Sequence, residues 1–155
     1  TVYNLYPEVK FPENKTISKI LVKKSLRKME VYSDEQLLKT YSISLSKVSI
    51  GDKKIEGDMK TPEGSYIIND KNPNSSYHLN LGISYPDSSD VQEAKLYGKP
   101  PGGDIKIHGI RNGLGLVGKL QRLRDWTNGC IGLTNKEIEE IYNNTPIGTI
   151  IEFRP

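Results

Sequence analysis

Hydrophobic residues in the first third of this chain come in short runs with a period of two, the repeat of a pleated strand and not of a helix. Residues Ile17 to Lys23 predict a strand with a continuous apolar centre, Ile20-Leu21-Val22. From Arg27 to Tyr32, Met29 and Val31 alternate with Lys28 and Glu30. From Leu37 to Leu45, Tyr41, Ile43 and Leu45 alternate with Ser42 and Ser44. Short turns such as Ser33-Asp34 separate these runs, so an antiparallel meander is expected. The basic pairs Lys23-Lys24 and Arg27-Lys28 fall within this pattern and read as a solvated strand face.

Past Leu45 the pattern loosens. Residues Gly51 to Gly64 read as a loop, with Thr61-Pro62-Glu63-Gly64 suited to a type I turn. Strands are expected at Ser65–Ile68, Leu79–Tyr85, Ile105–Ile107, Ile131–Leu133 and Gly148–Phe153. Short helices are expected at Val91–Tyr97, capped by Ser89-Asp90, and at Leu116–Leu123. A third follows Thr134-Asn135-Lys136-Glu137, which has the spacing of a capping box. Residues 1–16 contain proline and read as an irregular lead-in; residues 17–155 read as one domain. About eight strands against two or three short helices predict a mostly β domain, sandwich-like or barrel-like.

Composition narrows the function classes. The 155 residues suit one domain with a core of its own. With 22 basic and 19 acidic side chains the net charge is +3, too weak to argue for nucleic acid. No apolar run approaches the ~20 residues that span a bilayer. A single cysteine excludes an internal disulfide and a Cys-rich zinc site, and two histidines leave little for any metal or metal cofactor. Position 1 is Thr, which reads as a processed or trimmed chain that a signal peptide or membrane anchor could have preceded.

The one thiol, Cys130, stands in Thr127-Asn128-Gly129-Cys130-Ile131-Gly132-Leu133. A lone cysteine is commonly a small core residue. Here Gly129 lets the backbone turn tightly and bring N–H groups near the sulfur, as an oxyanion hole needs. A thiol also needs a base, and imidazole titrates closest to neutrality. His108 ends the strand Ile105-Lys106-Ile107 and precedes Gly109, where it is either that base or a histidine bonded at a loop corner. His78 reads as a structural or rim residue. Glu137, Glu139 and Glu140 read as the capping box and solvated helix charges. Metal ligation by Cys130, His108 and Asp104 matches no ligand spacing.

Three segments together carry a resemblance. They are Gly57-Asp58-Met59-Lys60-Thr61-Pro62-Glu63-Gly64-Ser65-Tyr66, Ile107-His108-Gly109, and Arg122-Leu123-Arg124-Asp125-Trp126-Thr127-Asn128-Gly129-Cys130-Ile131. In this order they resemble the L,D-transpeptidase catalytic domain of YkuD type, from about Ile17 to Phe153. The resemblance implies a β-sandwich-like fold and a cysteine enzyme acting at meso-diaminopimelate of peptidoglycan stem peptides through a thioester. It makes Cys130 the nucleophile, His108 the base, the Gly109 carbonyl the group that orients the imidazole, and the Gly129 and Cys130 N–H groups the oxyanion hole. It needs no cofactor.

Two departures stand out: Asn128 where many members have His, and Gly132 where many have Arg. Arg122 and Arg124 could replace that arginine in holding a carboxylate, or could face solvent on a helix. Tyr85 and Trp126 either wall the substrate groove or pack in the core, and Thr127 and Asn128 flank the same groove. The segment Ile83-Ser84-Tyr85-Pro86-Asp87, with Asp125 to Cys130, is similar to a divergent branch that includes hydrolases detaching a lipoprotein from peptidoglycan. The expected activity is therefore hydrolysis of a diaminopimelate-linked amide or acyl transfer to an amine, by a monomer outside the cytoplasm, in the periplasm or cell envelope. The alternatives are a non-catalytic wall-binding module on the same fold and a secreted wall-targeting toxin.

Overall fold

A computed structural model describes residues 9–114, 118 and 127–155. The meander forms as the alternation predicts. Strands β1 (Lys19–Lys23), β2 (Lys28–Ser33) and β3 (Gln36–Ser42) pair antiparallel in sequence order. Strand β4 (Gly64–Ser75) is much longer than expected, and β5 (His78–Ile83) returns along it. Helix α1 (Ser88–Leu96), capped by Asp87, leads to β6 (Lys106–His108) and then β7 (Ile131–Gly132). Helix α2 (Asn135–Asn144) has the expected Thr134–Glu137 capping box, and β8 (Ile150–Arg154) closes the chain. The helix expected at Leu116–Leu123 lies outside the described residues.

All eight strands form one sheet in the order β3-β2-β1-β8-β4-β5-β6-β7. Central β1 pairs with β2 on one side and runs parallel to β8 on the other, which explains its unbroken Ile20-Leu21-Val22 run. Strand β4 is the joint. Gly64–Ile67 pair with β8, whereas Ile68–Ser75 pair with β5 across two register shifts. Bulges bend a strand and increase its twist, and here the sheet curls until its ends meet. Ser44 and Gly132 exchange backbone hydrogen bonds of 3.0 and 2.9 Å, Thr127 N–H donates to Leu45 O, and Lys47 N–H donates to Thr127 O. The continuation of β3 therefore grips the segment just before β7. Inside the curl, Val22, Met29, Ile68, Leu81, Ile107, Ile131 and Phe153 form one core, and α2 adds Ile138 and Ile141.

Two expectations are corrected. Residues 61–63 run into β4 without a turn. The basic cluster is not a uniformly solvated strand face, because Lys24 is only 2% exposed. Its ammonium donates to Gly51 O at 2.8 Å, to Thr61 O at 2.9 Å and to Glu63 Oε2 at 3.3 Å. These three acceptors offset the loss of water that buries few lysines. Burial still pulls the Lys24 pKa below its ordinary value, against the opposing pull of Glu63. Residues 51–64 are thus organised from within. Asp58 accepts from the backbone N–H groups of Lys54, Ile55 and Lys60 and from the Lys53 ammonium.

Replacing Lys24 by Ala strands two carbonyls. Each newly unpaired buried acceptor costs about 1–3 kcal/mol, discounted because Glu63 and Gly51 keep some access to water. Urea denaturation of Lys24→Ala is expected to show a loss of about 2 kcal/mol. A Lys24→Ala midpoint equal to wild type would contradict this account of the lysine.

Candidate active site

Strand register brings the chemistry together. Within β6 the period of two puts Lys106 and His108 on one face and Ile107 on the other, in the core. Parallel pairing sets Ile107 beside Ile131 and His108 beside Gly132. Cys130, one position before Ile131, therefore stands on the His108 face, two rows away. Both residues line one cavity of about 410 Å³, with Asn80, Asp104, Lys106 and Asn128.

His108 is 6% exposed and has a defined tautomer. Its Nδ1 lies 2.7 Å from Gly109 O. A carbonyl only accepts, so Nδ1 carries the proton and Nε2 is the basic nitrogen. Burial holds the imidazole pKa below its ordinary 6.5, outweighing the Gly109 hydrogen bond, and Lys106 adds to the depression. The Tyr77 ring packs on the imidazole with centroids 4.6 Å apart. Gly109 is itself constrained, since a Cβ there would lie 2.7 Å from Asn135 Oδ1 and 3.0 Å from Tyr77 O. Asn135 also accepts from Ile110 N–H at 2.8 Å, so the start of α2 fixes the loop that orients the histidine.

Cys130 is half-buried, and its thiol donates to Asp104 O at 3.2 Å. Burial pushes its pKa above the ordinary 9.0, although the Lys106 N–H and the Lys106 charge pull the other way. Both shifts favour the neutral forms, thiol and imidazole. Gly129 has φ +136°, and a Cβ there would meet Lys60 O and Ile105 Cδ1 at 3.0 Å. Only glycine suits such a position. Thr61, fully buried, donates from Oγ1 to Gly129 O at 2.8 Å. The Lys60-Thr61-Pro62 segment therefore braces the Cys130 loop from below.

The remaining expected site residues divide. Asn128 is exposed at the cavity. Thr127 lines the cavity, but its hydroxyl is committed within the loop, donating to Cys130 O at 2.6 Å and accepting from Gly129 N–H at 3.4 Å. The Gly129 N–H expected to face an oxyanion is accordingly turned to Thr127. Tyr85 is a core residue and not a groove wall: it packs edge-on to Tyr66, and its hydroxyl donates to Pro101 O. Arg122, Arg124 and Trp126 lie outside the described residues. His78 Nε2 meets Glu139 Oε1 at 2.6 Å on the exterior, while Glu140 is half-buried against Lys39 and Tyr41. Sequence reasoning missed Asn80, Lys106 and Tyr77, and weighed Asp104 only as a metal ligand. Counting back by twos from His108 finds Lys106 and Asp104, and a lone Asn inside an apolar strand marks Asn80.

A curled β sheet with a histidine on one strand and a cysteine just before its parallel neighbour, braced by a Lys-Thr-Pro segment, matches a known class. The family model of the YkuD L,D-transpeptidase catalytic domain matches residues 18–153, and the chain belongs to this family. It is 30% identical over 109 residues to the Escherichia coli K12 protein named "Putative L,D-transpeptidase YafK", a match covering 69% of this chain and 37% of that one. Among solved structures it resembles the helical cell shape determining protein Pgp2 of Campylobacter jejuni, with TM-score 0.66 and 28% identity over 91% of this chain and 48% of that one. Bd1075 of Bdellovibrio bacteriovorus gives TM-score 0.59 and 26% identity over 91% and 49%. An L,D-transpeptidase of Mycobacterium smegmatis, 13% identical with TM-score 0.60 over 88% and 58%, shares the fold. The chain thus spans between about a third and a half of the length of YafK, Pgp2 and Bd1075.

Because the Cys130 pKa is raised, its alkylation is expected to be slow near neutrality and to accelerate through and above pH 9.0. Iodoacetamide labelling of native protein across pH, read by mass spectrometry, measures this. Full labelling at pH 6 as fast as at pH 9 would mean that the thiol is already ionised and the neutral pair is wrong.

Proposed function

We propose that this domain is a peptidoglycan-modifying cysteine enzyme that acts at meso-diaminopimelate of stem peptides through a Cys130 thioester. The observation that carries the reading is the His108 Nδ1–Gly109 O bond, which makes Nε2 the basic nitrogen of a histidine lining the cavity that the one thiol also lines. Family membership and the cell-shape role in Pgp2's name support a wall substrate outside the cytoplasm.

The chemistry follows from the neutral pair. The thiol turns from Asp104 O, and His108 Nε2 takes its proton as Sγ attacks the amide carbon. The oxygen gains negative charge and is met by backbone N–H groups of the nucleophile loop. For the Gly129 N–H to serve, it must exchange its long contact with Thr127 Oγ1 for the oxyanion. Collapse breaks the C–N bond, and His108 returns the proton to the leaving amine. A thioester remains on Cys130, to be resolved by water or by an amine. We favour water. Asn128 for His and Gly132 for Arg depart from the pattern of cross-linking members, and a cavity edged by exposed Asn128 and Asp104 admits water. The substrate of the hydrolytic reaction is a diaminopimelate-linked amide, including that of a wall-bound lipoprotein.

Purified tetrapeptide muropeptides, cross-linked dimers and lipoprotein-linked muropeptides, supplied separately and read by mass spectrometry, test this. Loss of the lipoprotein remnant or of a 3-3 dimer without new cross-links is expected. New diaminopimelate-to-diaminopimelate dimers would instead establish acyl transfer, and binding without turnover by wild type would leave a wall-binding module.

Cys130→Ala is expected to abolish turnover with the fold intact, and His108→Ala to lose about 10²–10⁴-fold. The base must be neutral and its pKa is lowered, so the acid limb of kcat/KM is expected below pH 6.5. An acid limb above pH 7 would contradict His108 as the buried base.

A further inference from the structure

Asn80 occupies one row of the sheet with the histidine. Asn72 pairs with Asn80, Asn80 with His108, and His108 with Gly132, across β4, β5, β6 and β7. The next row, Leu81, Ile107 and Ile131, is core. Alternation therefore places the Asn80 side chain on the cavity face, and Asn80 lines the cavity with Cys130. It is 5% exposed, and its Oδ1 is buried without a hydrogen-bond partner among the described residues. Buried acceptors are nearly always paired, because an unpaired one forfeits its bond to water with no return. An orphaned acceptor beside the reacting residues is a place kept for a donor.

We propose that Asn80 is a substrate-binding residue whose Oδ1 accepts a hydrogen bond from an N–H of the acyl donor. This rests on the reading of the cavity as the acyl-donor site. The shared chemistry is an N–H donor, from a peptide amide or from the ammonium of a diamino acid. Asp104 favours the ammonium: its carboxylate, 91% exposed at the same cavity, supplies the negative charge that draws a cation. The Lys106 ammonium, 3.3 Å from Asp104, stands ready for an accompanying carboxylate.

The test has a sign that a structural role lacks. Leu approximates Asn in size and removes the orphaned acceptor, so Asn80→Leu is expected to leave the melting temperature unchanged or raise it. Alkylation of Cys130 stays at the wild-type rate. The KM for disaccharide-tetrapeptide is expected to rise about tenfold, the worth of one hydrogen bond to a charged or well-aligned donor. The same factor is expected in calorimetric binding of that muropeptide to Cys130→Ala and to Cys130→Ala/Asn80→Leu. Asn80→Asp, which keeps an acceptor, retains affinity. With the diaminopimelate amine acetylated, disappearance of the Leu penalty assigns the ammonium, and its persistence assigns a peptide amide; both support the proposal. Unchanged affinity in Asn80→Leu, as when the acceptor serves only a bound water, overturns it. So does a fall in melting temperature with altered alkylation. If Asn80→Leu fails to fold, Asn80→Ala carries the same affinity comparison. Binding that depends on Asn80 without turnover by wild type would refute the proposed reaction and leave this inference standing.

Discussion

The backbone clasp between residues 44–47 and 127–132 is the constraint on which the site depends. Four hydrogen bonds join the continuation of β3 to the two sides of the Cys130 loop, and they do so only because the sheet has curled far enough for its ends to meet. The curl comes from β4, which divides its length between β8 and β5 and is bent at two register shifts. Position and chemistry are thereby joined. The clasp sets Gly132 in line with His108, and that register brings Cys130 onto the histidine's face of the sheet. Thr61 and the approach of Lys60 O hold the loop from beneath, and buried Lys24 holds Thr61 through its carbonyl.

Electrostatically, burial dominates over charge at this site. It lowers the imidazole pKa and raises the thiol pKa, the two directions that disfavour a thiolate–imidazolium pair. Lys106 pulls the thiol back toward ionisation and further depresses the imidazole, while the Asp104 charge raises the thiol. Both shifts favour the neutral thiol and the neutral imidazole, the state from which the proposed reaction starts.

Much of this fold could be read from the residues. Alternation at Met29/Val31 and Tyr41/Ile43/Leu45 identified the meander, and Thr134-x-x-Glu137 identified α2, because each pattern reports a local requirement. The pairing of β1 with β8, and the division of β4, depend on contacts between residues far apart and leave no local mark. Lys24 was misread for the same reason: its acceptors are the carbonyls of Gly51 and Thr61, and a carbonyl has no side chain to show in a sequence. At the site, Cys130, His108 and Gly109 stand out in the sequence as thiol, imidazole and glycine in a family pattern, and the structure brings the first two to one cavity. Thr127 does line the cavity, though its hydroxyl knits its own loop, whereas the Tyr85 ring serves the core, a choice between groove and core that residue type alone leaves open. Asn80 was overlooked because a polar residue within a strand becomes informative only once its neighbours are known.

The clasp has a temporal consequence. Ser44 and Gly132 are separated by most of the domain, and contacts of such long range form after local ones, since the chain must first give up the entropy of a large loop. The meander and the hairpin of β4 with β5 can organise while Cys130 is still apart from His108. In a chain whose sheet has not closed, the Cys130 thiol stands apart from the histidine, and the two share a cavity only once the last edges of the sheet meet. Closure of the sheet is thus the event that assembles the candidate site, and the seam that joins its ends is also the seam whose opening would take it apart.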